Sequence, residues 1–152
     1  MEKSLLFKIS SILALIFAAT GAILILVTPW AYWWYDYRAG GWRYYGSGVV
    51  NIFSGVEGVF ILFAALLLII CAIISLLTII PGMIKNRIPI IISLILAFVV
   101  LIMIVIGAVI TAAVLNSEGL YWEFGAGFYG GISGTLLTIL FTLIMIFTMK
   151  KE

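Results

Sequence analysis

Histidine is absent from this sequence of 152 residues, and cysteine occurs once, at Cys71. Without histidine there is no imidazole to act as a general base, to ligate haem or to complete a histidine-containing zinc site. A single cysteine excludes an intrachain disulfide, a CxxC redox pair and an iron–sulfur cluster. We therefore expect a protein that is not an enzyme and holds no metal or cofactor.

Charged residues are also scarce, since 8 Lys and Arg and 6 Asp and Glu make up only 9% of the chain. A soluble domain carries about 25% charged residues. A chain that is 66% hydrophobic, with a mean hydropathy of +1.36, cannot hide its apolar surface from water. The composition therefore predicts a protein of the lipid bilayer. The net charge of +2 gives no basic surface for nucleic acid.

Four apolar stretches are long enough to cross a bilayer core of about 30 Å, which takes about 20 residues in a helix. They predict helices over about residues 5–27, 48–80, 89–115 and 126–149. Open sheets cannot lie in lipid, and these runs do not alternate as barrel strands do. We predict an all-α membrane protein, a single domain built as a four-transmembrane-helix bundle. The first run is too long for a signal peptide, so we expect an uncleaved helix.

The basic residues are divided unevenly between the two ends of this four-pass topology. Six lie on one side: Lys3, Lys8, Lys85, Arg87, Lys150 and Lys151. Only Arg38 and Arg43 lie on the other side. The positive-inside bias therefore predicts that both termini are cytoplasmic and that two loops, 28–47 and 116–125, face out. We expect a multi-pass protein of the plasma membrane.

The two halves of the chain resemble each other. Residues 46–55 align without gaps to residues 125–134, where Gly-Ser-Gly matches Gly-Ala-Gly and Ser-Gly ends both blocks. This similarity predicts two repeated helical hairpins, and the alternative is coincidence in a glycine-rich membrane sequence. Small residues four apart share a helix face and let backbones approach closely. The predicted helix-packing positions are Ser47, Asn51, Gly55, Gly130 and Gly134.

Aromatic residues concentrate in the first outer loop, where nine of the sixteen residues from Trp30 to Tyr45 are Trp or Tyr. A turn at residues 38–41 separates two aromatic runs, which predicts a β-hairpin of residues 31–37 and 42–45, with residues 120–124 as a third strand. We predict a small aromatic extracellular β-hairpin cap. It is either a lid over the helix ends or a recognition surface for a protein, a glycan or lipid headgroups. The candidate binding residues are Trp30, Trp33, Trp34, Tyr35, Trp42 and Trp122.

Four helices, inner termini, a longer first outer loop with strand character and Pro29-Trp30 directly after the first helix are typical of one class of membrane protein. In these features the chain resembles the claudin and peripheral-myelin tetraspan class. The Gly-Leu-Trp motif and the loop cysteine pair of that class are absent here, and the first loop is shorter. The resemblance implies a membrane scaffold or adhesion type of role.

Glu57 is the carboxylate nearest the apolar zone of the predicted helices. Charges inside a membrane are costly and usually functional, so Glu57 is a candidate ion site, or an ion-pair site with Arg38 or Arg43. The alternative is a hydrated glutamate at the outer interface.

Two classes of function fit these patterns. The first is a non-catalytic integral membrane protein, a scaffold or accessory subunit or an adhesion-like tetraspan, which acts through its aromatic outer surface. The alternative is a small transporter or channel that is built from duplicated hairpins and uses Glu57. Expected partners are the lipid bilayer and other membrane or cell-surface proteins, or further copies in a homo-oligomer. The isoleucine-rich, histidine-free composition suggests a prokaryotic source.

Overall fold

The computed structural model, which describes residues 4–149, contains long helices connected in part by short strands. The four helices of this part are α1 (Leu5–Val27), α2 (Gly55–Ile79), α3 (Ile88–Ser117) and α4 (Ala126–Thr148). Its three strands are β1 (Ala31–Ala39), β2 (Trp42–Val50) and β3 (Tyr121–Phe124). Each helix is long and apolar enough to cross a membrane. The chain therefore has the architecture of a multi-pass membrane protein, as predicted.

The four helices pack in a ring, in which α1 and α3 each contact both α2 and α4. Small and aliphatic side chains fill the interior, with Ala64, Leu68 and Val100 fully buried. Equally apolar side chains such as Ile23 and Ile102 cover the outside of the bundle. Because lipid tails are as apolar as these side chains, helices in a bilayer associate through close van der Waals contact. Small interior residues allow that contact.

The contact between α1 and α4 is the most extensive of the helix contacts, and glycine residues lie at the centre of this contact. A Cβ on Gly134 would lie 2.8 Å from the carbonyl oxygen of Phe17 and 2.9 Å from the Cα of Gly21. Both obstacles are backbone atoms, which cannot rotate away. At Gly130 the obstacle is instead the side chain of Leu24. The absence of a side chain at Gly134 is thus what lets the two helices cross.

The predicted packing face on the second helix is wrong. Ser47 lies in β2, Asn51 lies in the turn that follows, and Gly55 is only the first residue of α2. The strand continues to Val50 because β1 supplies a partner for every residue of β2. The second helix therefore starts at Gly55 rather than near residue 48. Residues 46–54 are strand and turn and only Gly55 is helical, whereas the aligned residues 125–134 enter α4 at once, so the two glycine blocks are not structurally equivalent.

The three strands form an antiparallel sheet in the order β2-β1-β3, which we call the aromatic sheet. This confirms the predicted hairpin and extends both of its strands. Ala31 pairs with Val50 on one side and with Phe124 on the other, so the base of the sheet lies where α1 and α3 end and α2 and α4 begin. Only residues 31–34 of β1 pair with β3, so the outer half of the hairpin has two strands.

The opposite end of the bundle carries the remaining described basic residues. Lys8 and Lys85 are exposed there. Arg87, just before α3, donates a hydrogen bond from Nη2 to the carbonyl oxygen of Met149, just after α4. This bond links the start of α3 to the end of α4. Lys3, Lys150 and Lys151 lie outside the described residues.

We predict that Gly134→Leu destabilises the protein, because a side chain there must push apart two backbones. Overpacking of this kind costs about 1–3 kcal/mol. The measurement is thermal unfolding in detergent, and the control is Ser133→Leu, at the adjacent exposed position of the same helix. Equal melting temperatures for the two variants would contradict the close α1–α4 crossing.

Candidate functional site

Alternate residues of a strand point to opposite faces, so the aromatic sheet presents two different surfaces. The register places one set together on what we call the aromatic face: Trp33, Tyr35, Tyr37, Trp42, Tyr44 and Trp122. A second set shares what we call the polar face: Trp34, Asp36, Arg38, Arg43, Tyr45 and Tyr121. Charge therefore accompanies aromatic rings on one face only.

Packing within the sheet occupies much of the aromatic face. The ring of Tyr35 lies over Gly46 and the ring of Trp33 lies over Gly48, where any Cβ would collide with ring atoms. A glycine in a strand has no side chain to cover its backbone, and an aromatic ring on the neighbouring strand can cover that backbone instead. The rings of Tyr35 and Trp33 therefore pack on the two glycines of β2. One side of each ring is occupied by this packing and is not available to a partner.

Three of the predicted binding tryptophans face the helices rather than solvent. Trp30 is fully buried and packs edge-on against Phe128, with ring centroids 5.3 Å apart. Trp33 and Trp122 are half-buried and pack on the interior cluster of the bundle. Trp122 also donates from Nε1 to Oδ1 of Asn116 at 2.8 Å. The expectation that Trp30 lines a binding surface is wrong, because its ring is fully buried against Phe128 of α4 and close to Gly107 of α3.

The polar face contains an open depression of about 570 Å³, lined by Trp34, Asp36, Tyr45 and Tyr121. Trp34 stacks on Tyr121, with ring centroids 6.3 Å apart and planes inclined by 22°. These two rings come from β1 and β3, so the third strand completes the depression. Its size lies within the range of about 300–1,000 Å³ that ligand pockets show. The depression can accept a small group or a single protruding side chain.

Asp36 and Arg43 form a two-pronged ion pair beside these rings. Nε of Arg43 donates to Oδ1 of Asp36 at 2.9 Å, and Nη2 donates to Oδ2 at 2.6 Å. The hydrogen bond from Arg43 holds the pKa of the Asp36 carboxyl below its ordinary value of 3.8, and Coulombic attraction acts in the same direction. Both side chains are exposed, so the pair contributes little to stability. Its effect is to fix a carboxylate and a guanidinium at the edge of the depression.

Glu57 lies in the first turn of α2, and only 9% of it is exposed. Its carboxylate folds back toward the start of its own helix, since a Cβ on Gly55 would lie 2.8 Å from Oε2. A negative charge at that position is stabilised by the helix dipole. The predicted pairing with Arg38 or Arg43 is not formed within residues 4–149, where Arg43 is bound to Asp36 instead.

Sequence reasoning missed Asp36, Tyr45 and Tyr121 as members of the depression. The predicted turn at residues 38–41 is two residues too wide: the structure closes the hairpin at Gly40 and Gly41, and this register pairs Asp36 with Tyr45. No local signal pointed to Tyr121, which meets Trp34 only through the pairing of β3 with β1. Within the described part of the chain, no group of three His, Cys, Asp or Glu side chains could hold a metal ion.

Comparisons with known proteins do not indicate a function for this site. No protein-family model matches the chain, and no curated protein matches its sequence. The likeness to the claudin and peripheral-myelin class therefore depends on architecture and on Pro29-Trp30. In this structure that tryptophan joins the sheet to the helices.

We predict that Arg43→Gln raises the pKa of Asp36 toward 3.8, because the substitution removes the charged hydrogen-bond donor. The measurement is an NMR titration of the Asp36 carboxyl carbon in detergent micelles. The folded pKa is the lower one, so the stabilisation from this pair is fully present above pH 3.8 and is lost as pH falls through the folded pKa. Arg38→Gln is the control, and an equal rise in that variant would show that net charge, rather than the ion pair, sets the pKa.

Proposed function

We propose that this chain is a non-catalytic membrane scaffold or accessory subunit that binds another membrane or cell-surface protein through the polar face of its aromatic sheet. One observation carries the proposal: the half-buried ring of Trp34, the exposed rings of Tyr45 and Tyr121 and a fixed ion pair are gathered around one open depression. Along the described helices, by contrast, Glu57 is the only buried charged residue, and it lies in a first turn.

The residue types of the depression favour recognition of a protein. Trp, Tyr and Arg are enriched among the residues that dominate binding energy at protein interfaces. Trp34 and Tyr121 are already stacked, so little side-chain freedom is lost when a partner covers them. The Asp36–Arg43 pair keeps unused lone pairs and N–H groups for a polar contact at the rim.

We further propose that the sheet lies outside the plasma membrane and both termini lie in the cytoplasm. Lys8, Lys85 and Arg87 at the far end of the bundle support this orientation through the positive-inside bias. At the sheet end, Arg43 is neutralised by Asp36.

We propose that the internal repeat relates the two whole helical hairpins to each other. Each helical hairpin encloses strand structure in its connection, β1 and β2 in the first and β3 in the second. Contacts also follow a repeated scheme, because α1 packs on α4 as α3 packs on α2. Such a repeat is compatible with a scaffold and with assembly into a homo-oligomer.

The orientation predicts which introduced cysteines react with a membrane-impermeant thiol reagent on intact cells. In a Cys71→Ser background, Ser47→Cys and Ser117→Cys should be labelled, because both positions are exposed at the sheet end. Ser4→Cys, at the start of α1, should be labelled only after the cells are permeabilised. The reverse pattern would place the aromatic sheet in the cytoplasm.

We predict that Trp34→Ala abolishes co-purification of the partner, since loss of an interface anchor commonly costs about 2 kcal/mol or more. The control is Trp42→Ala, an exposed tryptophan of the aromatic face that does not line the depression. Partner recovery is measured by quantitative mass spectrometry after gentle extraction, with near-ultraviolet circular dichroism to verify the fold. Equal recovery from the two variants would contradict binding at the polar face.

A second function, small-molecule or ion transport, is favoured by one observation: Glu57 is buried at the sheet end of the bundle. If the protein transports cations or protons, Glu57→Gln in proteoliposomes should remove the flux while Trp34→Ala keeps it. Loss of flux in Glu57→Gln, together with unchanged partner recovery in Trp34→Ala, would replace the scaffold proposal with this one.

A further inference from the structure

The ionic groups around the depression of the polar face have opposite signs. Nε and Nη2 of Arg43 donate to the two carboxylate oxygens of Asp36, so both charges lie at one place on the rim. The pKa of Asp36 lies below its ordinary value of 3.8, so the carboxyl stays ionised and paired at neutral pH. Farther out on the same side of the strands, Arg38 toward the tip and Glu123 toward the base again have opposite signs. The rim of the depression therefore carries no net charge.

A neutral rim disfavours ionic ligands of either sign. An anionic group that approaches Arg43 also meets Asp36, and a cationic group that approaches Asp36 also meets Arg43. Because the two side chains lie within hydrogen-bond distance of each other, attraction by one is largely offset by repulsion from the other. The arrangement of charges therefore favours a neutral ligand.

Hydrogen-bonding groups of both kinds remain available at the same rim. The two bonds between Arg43 and Asp36 leave the other N–H groups of the guanidinium and the outer lone pairs of the carboxylate for a ligand. Tyr45 and Tyr121, which also line the depression, each add a hydroxyl group that can donate and accept. A ligand with donors and acceptors side by side matches this set.

Aromatic rings supply the apolar part of the depression. Trp34 and Tyr121 stack on each other, so one face of each ring is covered. Tyr45 is 65% exposed and Tyr121 is 63% exposed, so ring surface stays open to a ligand. The face of an aromatic ring carries partial negative charge, which attracts the weakly positive hydrogens of C–H groups. The depression thus combines open ring surface with a neutral hydrogen-bonding rim.

We propose that the depression binds a neutral sugar ring, which belongs to a glycan on the partner protein. This inference rests on the proposed function, because it names the part of the partner that enters the site. A pyranose ring presents C–H groups on its face and hydroxyl groups around its edge, and each hydroxyl both donates and accepts. Neutral protein side chains match less well, because Asn and Gln lack a broad apolar face and Tyr has a single hydroxyl. The volume of about 570 Å³ accommodates a whole ring.

Direct binding is tested with the purified full-length chain in a detergent that has no sugar headgroup. The probes are the methyl glycosides of glucose, galactose, mannose and N-acetylglucosamine, and saturation-transfer NMR detects their binding. At least one probe should bind. Tyr45→Leu should weaken this binding roughly two- to tenfold, because a ring face is lost. The matched control is Tyr44→Leu, whose ring lies on the aromatic face and does not line the depression. No binding by any probe, or equal loss in both variants, would overturn the proposal.

Two charge variants test the argument for a neutral ligand without removing a ring. Asp36→Asn leaves Arg43 without its carboxylate, so this variant should prefer N-acetylneuraminic acid, an acidic sugar, to the neutral probes. Arg43→Gln leaves Asp36 without its guanidinium, so this variant should prefer protonated glucosamine. In the parent protein, either charged sugar should bind no better than the neutral probes. Tighter binding of a charged sugar to the parent would overturn the proposal, as would an unchanged order of preference in both variants.

Partner recovery separates this proposal from the proposed function. An extract that contains the partner is treated with periodate, which cleaves the vicinal diols of sugars, and the reagent is removed before the immobilised chain is added. Loss of the partner after treatment, together with probe binding, would support a glycan contact. If the parent still recovers the partner from treated extract and Trp34→Ala does not, protein surface is recognised, which overturns the sugar proposal and keeps the proposed function. Equal recovery by Trp34→Ala and Trp42→Ala would contradict the proposed function, whereas probe binding would still support the sugar site.

Discussion

The backbone of residues 29 and 30 holds the sheet and both helical hairpins together. The N–H of Trp30 donates to the carbonyl oxygen of Val50 at 2.8 Å, which ties down the end of β2. The carbonyl oxygens of Trp30 and Pro29 accept from Gly125 at 2.8 Å and from Gly127 at 3.0 Å, which ties down the start of α4. Because the indole of Trp30 is also fully buried, polar and apolar contacts converge on one residue. The orientation of the sheet on the bundle, and hence the polar face, depends on it.

Glycine has two unrelated uses in this chain, and spacing alone does not separate them. In α4, glycine lets α1 approach to backbone contact. In β2, glycine makes room for rings from the neighbouring strand. Both produce a pattern of small residues, so Ser47 and Asn51 looked like part of a helix face. The cross-strand neighbours Trp33 and Tyr35, which are far away in sequence, decide between the two uses.

The helices and the hairpin were predictable from local patterns, because length and apolarity identify a membrane-crossing helix and aromatic runs around a turn identify paired strands. The burial of Trp30 and the membership of Tyr121 in the depression were not predictable in this way. The membership of Tyr121 follows from the pairing of the four-residue strand β3 with β1, and the burial of Trp30 follows from its packing on Phe128 of α4. Aromatic composition alone could not tell which rings pack inward and which stay exposed.

The hairpin extends well past the third strand, so its tip lies far from the helix ends. β1 has nine residues, and at about 3.3 Å per residue it reaches at most about 30 Å from the helix ends. Its outer part, beyond residue 34, is a two-stranded ribbon, which twists and bends more easily than a wider sheet. The three-stranded base of the sheet is therefore held in one orientation on the bundle, whereas the two-stranded tip of the hairpin can bend. Under the proposed function, a partner anchored in the same bilayer has to present its contact surface within about 30 Å of the helix ends.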